Sequence, residues 1–296
     1  MYNDYLIARR RIRTFGADSD LVALGLKSFR PFEVPYDAAA PAAAVIETNC
    51  RPDIDVSRVA ELTRFELEGW GGAECVFGRT GAEYVLRIVS DGEGELLFLY
   101  DIGTDRVRCN ISREAPDMSA VRFGMWFMTA LATVGHDVTP VHSSAIVCDG
   151  RAVLFLGESG TGKSTHTRLW RENISGAALL NDDSPFIGFV NGAATAFGAP
   201  WSGKTPCYKQ EEYPIAAIVR LSQAPYNAIR RLSPLHAIGA LLPSLTPAFG
   251  FDEDLQDKMI KTLSAVISQV PVYHLECLPD AGAAHLSYDT VFGKGK

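Results

Sequence analysis

The chain has 296 residues, of which 47% are hydrophobic, and its formal net charge is −7. This length and composition predict one large globular domain or two moderate ones, each with its own core. The acidic balance argues against nucleic acid or an acidic membrane surface as a partner, and no stretch approaches the roughly twenty apolar residues of a membrane span.

The N-terminal residues MYNDYLIARRRIRTF lack the apolar core that a signal peptide needs. The six cysteines are scattered, without the closely spaced pairs of a zinc site or the density of a disulfide scaffold. These features predict reduced thiols in a cytoplasmic protein.

The first third of the chain has the chemistry of β-strands. Residues 5–14 are rich in β-forming side chains, and residues 83–90 and 96–100 flank the turn DGEG as a hairpin does. The alanine-rich residues 38–44 are interrupted by Pro41, which favours a loop over a helix. We therefore predict a small antiparallel β domain over residues 1–116, of unknown role.

From residue 117 onward the pattern changes to alternating strands and helices. Residues 117–134 predict a buried helix capped by Asp117 or Ser119. The next elements are a hairpin over 141–156 that turns at Asp149 and Gly150, a helix over 165–172 and a strand ending near residue 180. Further on, the patterns predict strands over 216–221 and 272–275 and helices over 234–242 and 255–269. This order predicts an α/β domain over residues 117–296.

A glycine-rich stretch, FLGESGTGKST, joins the hairpin to the following helix. It satisfies GxxxxGK[ST] in the strand-loop-helix context that a phosphate-binding P-loop requires. Backbone N–H groups of such a loop surround phosphate oxygens, its lysine neutralises the β- and γ-phosphates, and its serine ligates Mg²⁺. The predicted nucleotide-binding residues are Gly157, Glu158, Ser159, Gly160, Thr161, Gly162, Lys163, Ser164 and Thr165.

Two adjacent carboxylates, Asp182 and Asp183, end the strand LLNDD that follows the P-loop. One carboxylate suffices to hold a metal, and a second allows general-base catalysis on an attacking hydroxyl, as an acceptor kinase requires. The downstream sequence has neither an NKxD motif of GTPases nor an LSGGQ segment of ABC subunits. His142 opens the hairpin whose second strand enters the P-loop, so we predict that it lies near the γ-phosphate.

Three motifs in order, HSSAIV, FLGESGTGKST and LNDD, resemble the nucleotide-binding core shared by HPr kinase/phosphorylase and ATP-type phosphoenolpyruvate carboxykinase. The resemblance covers residues 140–190 strongly and the remaining C-terminal half loosely. It implies a mixed α/β (α+β) protein in which a small antiparallel β domain precedes an HPr kinase/phosphoenolpyruvate carboxykinase-like core.

The resemblance also implies roles for individual residues. Lys163 binds the phosphates, His142 lies near the transferred phosphoryl group or a metal, Ser164 and Asp183 hold the metal, and Asp182 is the base. The sequence does not fix which aspartate takes which role. The implied cofactors are ATP and Mg²⁺, with Mn²⁺ as a possible substitute, and the sequence leaves open whether the protein is a homo-oligomer.

Two departures from the family narrow the function. The stretch FGAPWSGK replaces the ExRGxG signature of HPr kinase, and the chain is much shorter than a carboxykinase. We therefore predict an ATP-dependent kinase that phosphorylates a hydroxyl, serine first, on a small molecule, peptide or protein. The alternatives are a non-catalytic ATP-binding regulatory module and, less favoured, phosphorylase or carboxykinase chemistry. Arg220, Arg230 and Arg231 are candidates for a charge-stabilising arginine.

Overall fold

A computed structural model describes residues 2–50, 52, 54–67, 72–90, 94–113, 118–203 and 205–293. The chain forms two compact units. The first ends at His136 and also includes Ala248–Glu253, whereas the second comprises Asp137–Pro247 and resumes at Asp254. None of the helices in these residues is both long and apolar enough to cross a bilayer.

The first unit is built on one sheet, which contains nine strands within the described residues, in the order β3-β1-β2-β4-β9-β8-β7-β6-β5. The strands are β1 (Tyr2–Ile7), β2 (Arg10–Gly16), β3 (Glu33–Val34), β4 (Ala44–Thr48), β5 (Ala60–Glu66), β6 (Glu74–Thr80), β7 (Glu83–Ser90), β8 (Gly94–Asp101) and β9 (Arg106–Cys109). The helices are α1 (Asp20–Gly25) and α2 (Met118–Val134).

The prediction of a small antiparallel sheet is corrected in this unit. Strand β4 pairs in parallel with both β2 and β9, so the sheet is mixed. The residues between β2 and β4 include α1 and β3, and this long excursion lets β4 return in the same direction as β2. The predicted hairpin is confirmed as β7 and β8, which pair from Ser90 and Gly94 onward; residues 91–93 of its turn lie outside the described residues.

Helix α2 packs on the sheet of the first unit, against β4, β7 and β8. The approach is close, because a methyl group at Gly124 would overlap the ring of Phe98 on β8. Phe127 packs edge-on against Phe77 at a ring separation of 4.9 Å. The division between the units therefore lies one helix later than the domain boundary at 116/117 that the sequence suggested. The proposed cap Asp117 lies outside the described residues.

The second unit has a mixed sheet in the order β10-β14-β15-β16-β12-β11-β13, with β18 beside β16 and β17 beside β18. Its strands are β10 (Thr139–Pro140), β11 (Ser143–Cys148), β12 (Arg151–Leu156), β13 (Ala178–Asp183), β14 (Phe186–Val190), β15 (Ala193–Phe197), β16 (Glu212–Gln223), β17 (Ala228–Arg231) and β18 (Val272–Cys277). Its helices are α3 (Lys163–Asn173), α4 (Pro234–Leu241), α5 (Glu253–Gln269) and α6 (Ala281–Phe292).

The predicted elements of this unit are confirmed. Asp149 and Gly150, with φ of 49° and 68°, form the turn between β11 and β12, because a two-residue hairpin of this type needs positive φ at both positions. Parallel neighbours β12, β16 and β18 carry one face of apolar side chains, including Phe155, Val219 and Leu275, into a core with Trp170 of α3.

Candidate active site

The predicted P-loop, which keeps that name below, runs from the end of β12 at Leu156 to the start of α3 at Lys163. Gly160 and Gly162 have φ of 81° and 102°, a conformation that favours glycine. A side chain at Gly157 would overlap that of Thr161, whose hydroxyl donates to the Glu158 carbonyl at 2.8 Å. The loop is therefore a tight turn that delivers the first residues of α3 to the strand ends.

Lys163 lies at the centre of the site. Its Nζ donates to the carbonyls of Gly157 at 2.7 Å and Glu158 at 3.3 Å and contacts His142 Nε2 at 2.9 Å. Because an ammonium group only donates, His142 Nε2 accepts and its ring proton resides on Nδ1. That Nδ1 faces Asp183 Oδ1 at 3.4 Å. Lys163, His142 and Asp183 thus form one continuous polar chain.

Burial lowers the pKa of the Lys163 ammonium, as does the nearby Arg220, whereas Asp183 and Asp182 oppose this shift. Arg220 lies on β16 and donates to the Ala240 carbonyl at 3.0 Å, and its Nη2 lies 3.5 Å from Glu158 Oε1. Of the three arginines proposed from the sequence, Arg220 is therefore the one that the structure brings to the P-loop. Arg230 and Arg231 lie exposed on β17.

Asp182 is buried and lies beside Ser164 at the start of α3. Its Oδ1 accepts hydrogen bonds from Ser164 Oγ and Ser144 Oγ, both at 2.8 Å, and its Oδ2 accepts from the Thr205 backbone N–H at 3.3 Å. Ser144 reaches it because β11 and β13 pair Ser144 with Asp182. Ser144 lies within the HSSAIV motif, but the motif predicts no role for it, because only this pairing across the sheet makes it a neighbour of Asp182.

Asp183, the last residue of β13, has a half-exposed side chain. A short loop closes on this end of the strand: Ser202 forms a bridge with Asp183, and the Gly203 N–H donates to the Asp182 carbonyl. The buried Asn181 amide holds the loop by donating to the Trp201 carbonyl at 2.8 Å. Asn181 lies within the LNDD motif and is a second residue for which the sequence predicts no role. Lys204, the last residue of the FGAPWSGK stretch, lies outside the described residues.

The donor set around Ser164 suits Mg²⁺. A hydroxyl and a carboxylate oxygen are hard ligands, and Mg²⁺ at a nucleotide site is bound through one or two protein oxygens plus phosphates and water. No group of three or more His, Cys, Asp or Glu side chains placed to hold a metal occurs in the part of the chain that the structure describes. Ser164 contacts Asp182, whereas Asp183 contacts His142.

A cavity of about 510 Å³ lies against the P-loop in the second unit. Its volume falls in the usual range of small-molecule sites, about 300–1,000 Å³. Gln223, at the end of β16, donates to the Gly160 carbonyl at 3.2 Å and so links the cavity wall to the loop. The lining combines loop and helix residues with apolar strand ends: Gly160, Gly162, Thr165, Leu221, Gln223 and Leu278.

His166, on the first turn of α3, makes the stability of the folded protein depend on pH. Burial lowers the pKa of His166 from 6.5 to about 4. The unfolded chain binds a proton there near pH 6.5 and the folded chain only near pH 4, so stability is full above pH 6.5 and falls as the pH drops. We expect the free energy of unfolding to fall by about 2 kcal/mol from about pH 7 to about pH 5 through this group. Denaturant titrations of the wild type and His166→Gln at both pH values would measure it; an equal loss in both proteins would contradict it.

A scan against protein-family models gives no match, and a search of curated proteins gives none either. Among solved structures, the chain is similar to the HPr(Ser) kinase/phosphatase from Coxiella burnetii, at 13% sequence identity and a TM-score of 0.30, over 50% of this chain and 90% of that one. A likeness of this size does not transfer a function.

Proposed function

We propose that the protein is an ATP-dependent kinase that transfers the γ-phosphoryl group to a hydroxyl, of the serine type, on a small molecule, peptide or protein. The proposal rests on one observation: the two consecutive aspartates beside the P-loop have different partners. Asp182 accepts from Ser164, and Asp183 lies in a polar chain with His142 and Lys163. A kinase that phosphorylates a hydroxyl needs one carboxylate to hold the metal and another, accessible carboxylate to accept the hydroxyl proton. Both kinds lie beside this phosphate-binding loop.

The contacts favour exchanging the roles that the family resemblance implies for the two aspartates. Asp182 is 3% exposed and already hydrogen-bonded to the P-loop serine, so we assign it with Ser164 to Mg²⁺. Asp183 has a 40% exposed side chain, so an entering hydroxyl has access to it. Bound Mg²⁺ would neutralise charge on the β- and γ-phosphates.

In this mechanism Asp183 accepts the hydroxyl proton while the acceptor oxygen bonds to the γ-phosphorus. The bond from that phosphorus to the β,γ-bridging oxygen breaks, and ADP carries away its electron pair. Lys163 stabilises the charge on the phosphates, and Arg220 adds a second cation near it. His142 orients Asp183 through its Nδ1 proton.

The cavity beside the P-loop supports a nucleoside phosphate over a bare phosphate as the donor. P-loop backbone groups hold the α- and β-phosphates, and the lysine reaches toward the γ-phosphate. The nucleoside then extends away from Lys163 and Asp183. The lining provides apolar surface from Leu221 and Leu278 and an amide from Gln223, which suits a planar base.

Transfer of labelled phosphate tests the proposal directly. The protein is incubated with γ-labelled ATP, Mg²⁺ and seryl acceptors, including free serine, peptides and a cell extract. We expect labelled, acid-stable product with the wild type. Tight ATP binding by calorimetry without transfer to any acceptor would favour a non-catalytic ATP-binding module, and transfer dependent on pyrophosphate or oxaloacetate would favour phosphorylase or carboxykinase chemistry.

A further inference from the structure

One row of paired residues crosses the second sheet at the level where β12 enters the P-loop. The pairings connect Leu156 to Arg220, Arg220 to His274, and His274 to Arg230. On its other side, Leu156 pairs with Ser143, which pairs with Asp183. Neighbouring strands lie about 4.8 Å apart, so Arg230 is about 10 Å beyond Arg220. The row therefore leads from the proposed base, past the P-loop, to two arginines.

Hydrogen bonds orient the cationic end of this row. Arg230 Nη2 lies 3.3 Å from His274 Nδ1, and His274 Nε2 lies 2.8 Å from Ser222 Oγ. Because a guanidinium only donates, His274 Nδ1 accepts and its proton lies on Nε2, directed at Ser222. Burial and the neighbouring arginines lower the pKa of His274, in keeping with a neutral ring. A neutral imidazole thus positions Arg230 without neutralising it.

The positive charge of this cluster is poorly compensated. Among the described residues, Arg230 has no carboxylate within ion-pair distance, whereas Arg220 has only Glu158 at 3.5 Å, whose side chain is 80% exposed. An exposed ion pair of this kind contributes little. The other nearby acid, Glu276, accepts a hydrogen bond from Tyr226 at 3.2 Å. Within the described part of the chain, Arg230 therefore presents a positive charge without a carboxylate partner, and Arg220 has only the exposed Glu158 as its partner.

We infer that Arg220 and Arg230, the latter positioned by His274, bind an anionic group, a carboxylate or a phosphate, of the hydroxyl compound that the enzyme phosphorylates. This inference rests on the proposed kinase function and names the class of its acceptor. Guanidinium groups match carboxylate and phosphate oxygens with paired donors. Along this row three strand spacings, about 14 Å, separate Arg220 from Asp183, so an acceptor of that span has its hydroxyl at the γ-phosphate when its anion is bound at Arg220.

The test measures anion binding by calorimetry to protein saturated with a non-hydrolysable ATP analogue and Mg²⁺, which keeps the P-loop filled. Inorganic phosphate and acetate are the two probes, and they distinguish a phosphate-bearing from a carboxylate-bearing acceptor. We expect at least one of them to bind the wild type and its affinity to fall about tenfold in Arg230→Ala, the loss expected for one charge-assisted contact.

Arg231→Ala is the matched control, because Arg231 is the next residue of the same strand and points to the opposite face. It should bind the anion as the wild type does. Binding of neither probe to the wild type, or equal losses in the two variants, would overturn the inference while analogue binding leaves the kinase proposal standing. A wild type that does not bind the analogue would instead refute the proposed function, and the inference with it.

Discussion

Asp183→Asn is expected to lower kcat for phosphoryl transfer by about 10²–10⁴-fold, the usual contribution of a general base. The asparagine amide preserves size and polarity but cannot take the hydroxyl proton. Binding of ATP and Mg²⁺ should remain near the wild-type level, because Asp182 and the P-loop are untouched. Labelled transfer in single turnovers, together with calorimetry of ATP binding, would measure both quantities.

Asp149→Asn provides a matched control for this substitution. Asp149 is exposed in the turn between β11 and β12, and asparagine tolerates its positive φ. Its transfer rate should equal that of the wild type. If Asp183→Asn transfers phosphate as fast as Asp149→Asn does, Asp183 is not the base.

Asp182→Asn is expected to raise the Mg²⁺ concentration for half-maximal transfer by about 10- to 100-fold, since loss of a metal-site group weakens metal affinity by that order. The carboxylate accepts from Ser164 and Ser144 in a buried position, so the neutral amide leaves less negative charge for the cation. A Mg²⁺ titration of the transfer rate at saturating ATP gives this midpoint.

The comparison with Asp183→Asn decides between the two assignments of the aspartates. We expect Asp183→Asn to lower the plateau rate and keep the Mg²⁺ midpoint, and Asp182→Asn to shift the midpoint. The opposite pattern would restore the assignment that the family resemblance implies, with Asp183 on the metal. Ser144→Ala removes one hydrogen bond to Asp182 but keeps both carboxylates. Its thermal unfolding midpoint therefore shows how much the loss of that hydrogen bond alone lowers the stability of the fold.

The sequence predicts the central elements of the second unit because local signals determine them. The Asp149-Gly150 turn and the glycine spacing of the P-loop encode the hairpin, the loop and the start of α3 within a few residues. Contacts between residues that are distant in the sequence are harder to predict. The neighbours of Asp182 and Asp183 follow from the register of β11 and β13, and no local pattern reveals that Ser144 lies beside Asp182.

Tertiary packing also explains why the boundary between the units lies after α2 and not at 116/117, where the sequence suggested it. The apolar pattern of α2 predicts a buried helix but does not say which sheet buries it. The helix packs on the sheet of the first unit, where Gly124 fits closely against Phe98. This contact joins two different elements, so the sequence of the helix alone does not predict it. For the same reason, the residues of β4 do not predict that it pairs in parallel with β2.

Two aromatic rings of α3 share one oxygen atom: Trp170 Nε1 lies 2.9 Å and His166 Nε2 3.0 Å from Ser287 Oγ on α6. The Ser287 hydroxyl donates to helix carbonyls, so both rings donate to it. Ser287 follows His166 by 121 residues. During synthesis, the helix that carries Lys163 and Ser164 therefore emerges from the ribosome well before Ser287, and its two ring contacts to α6 form late.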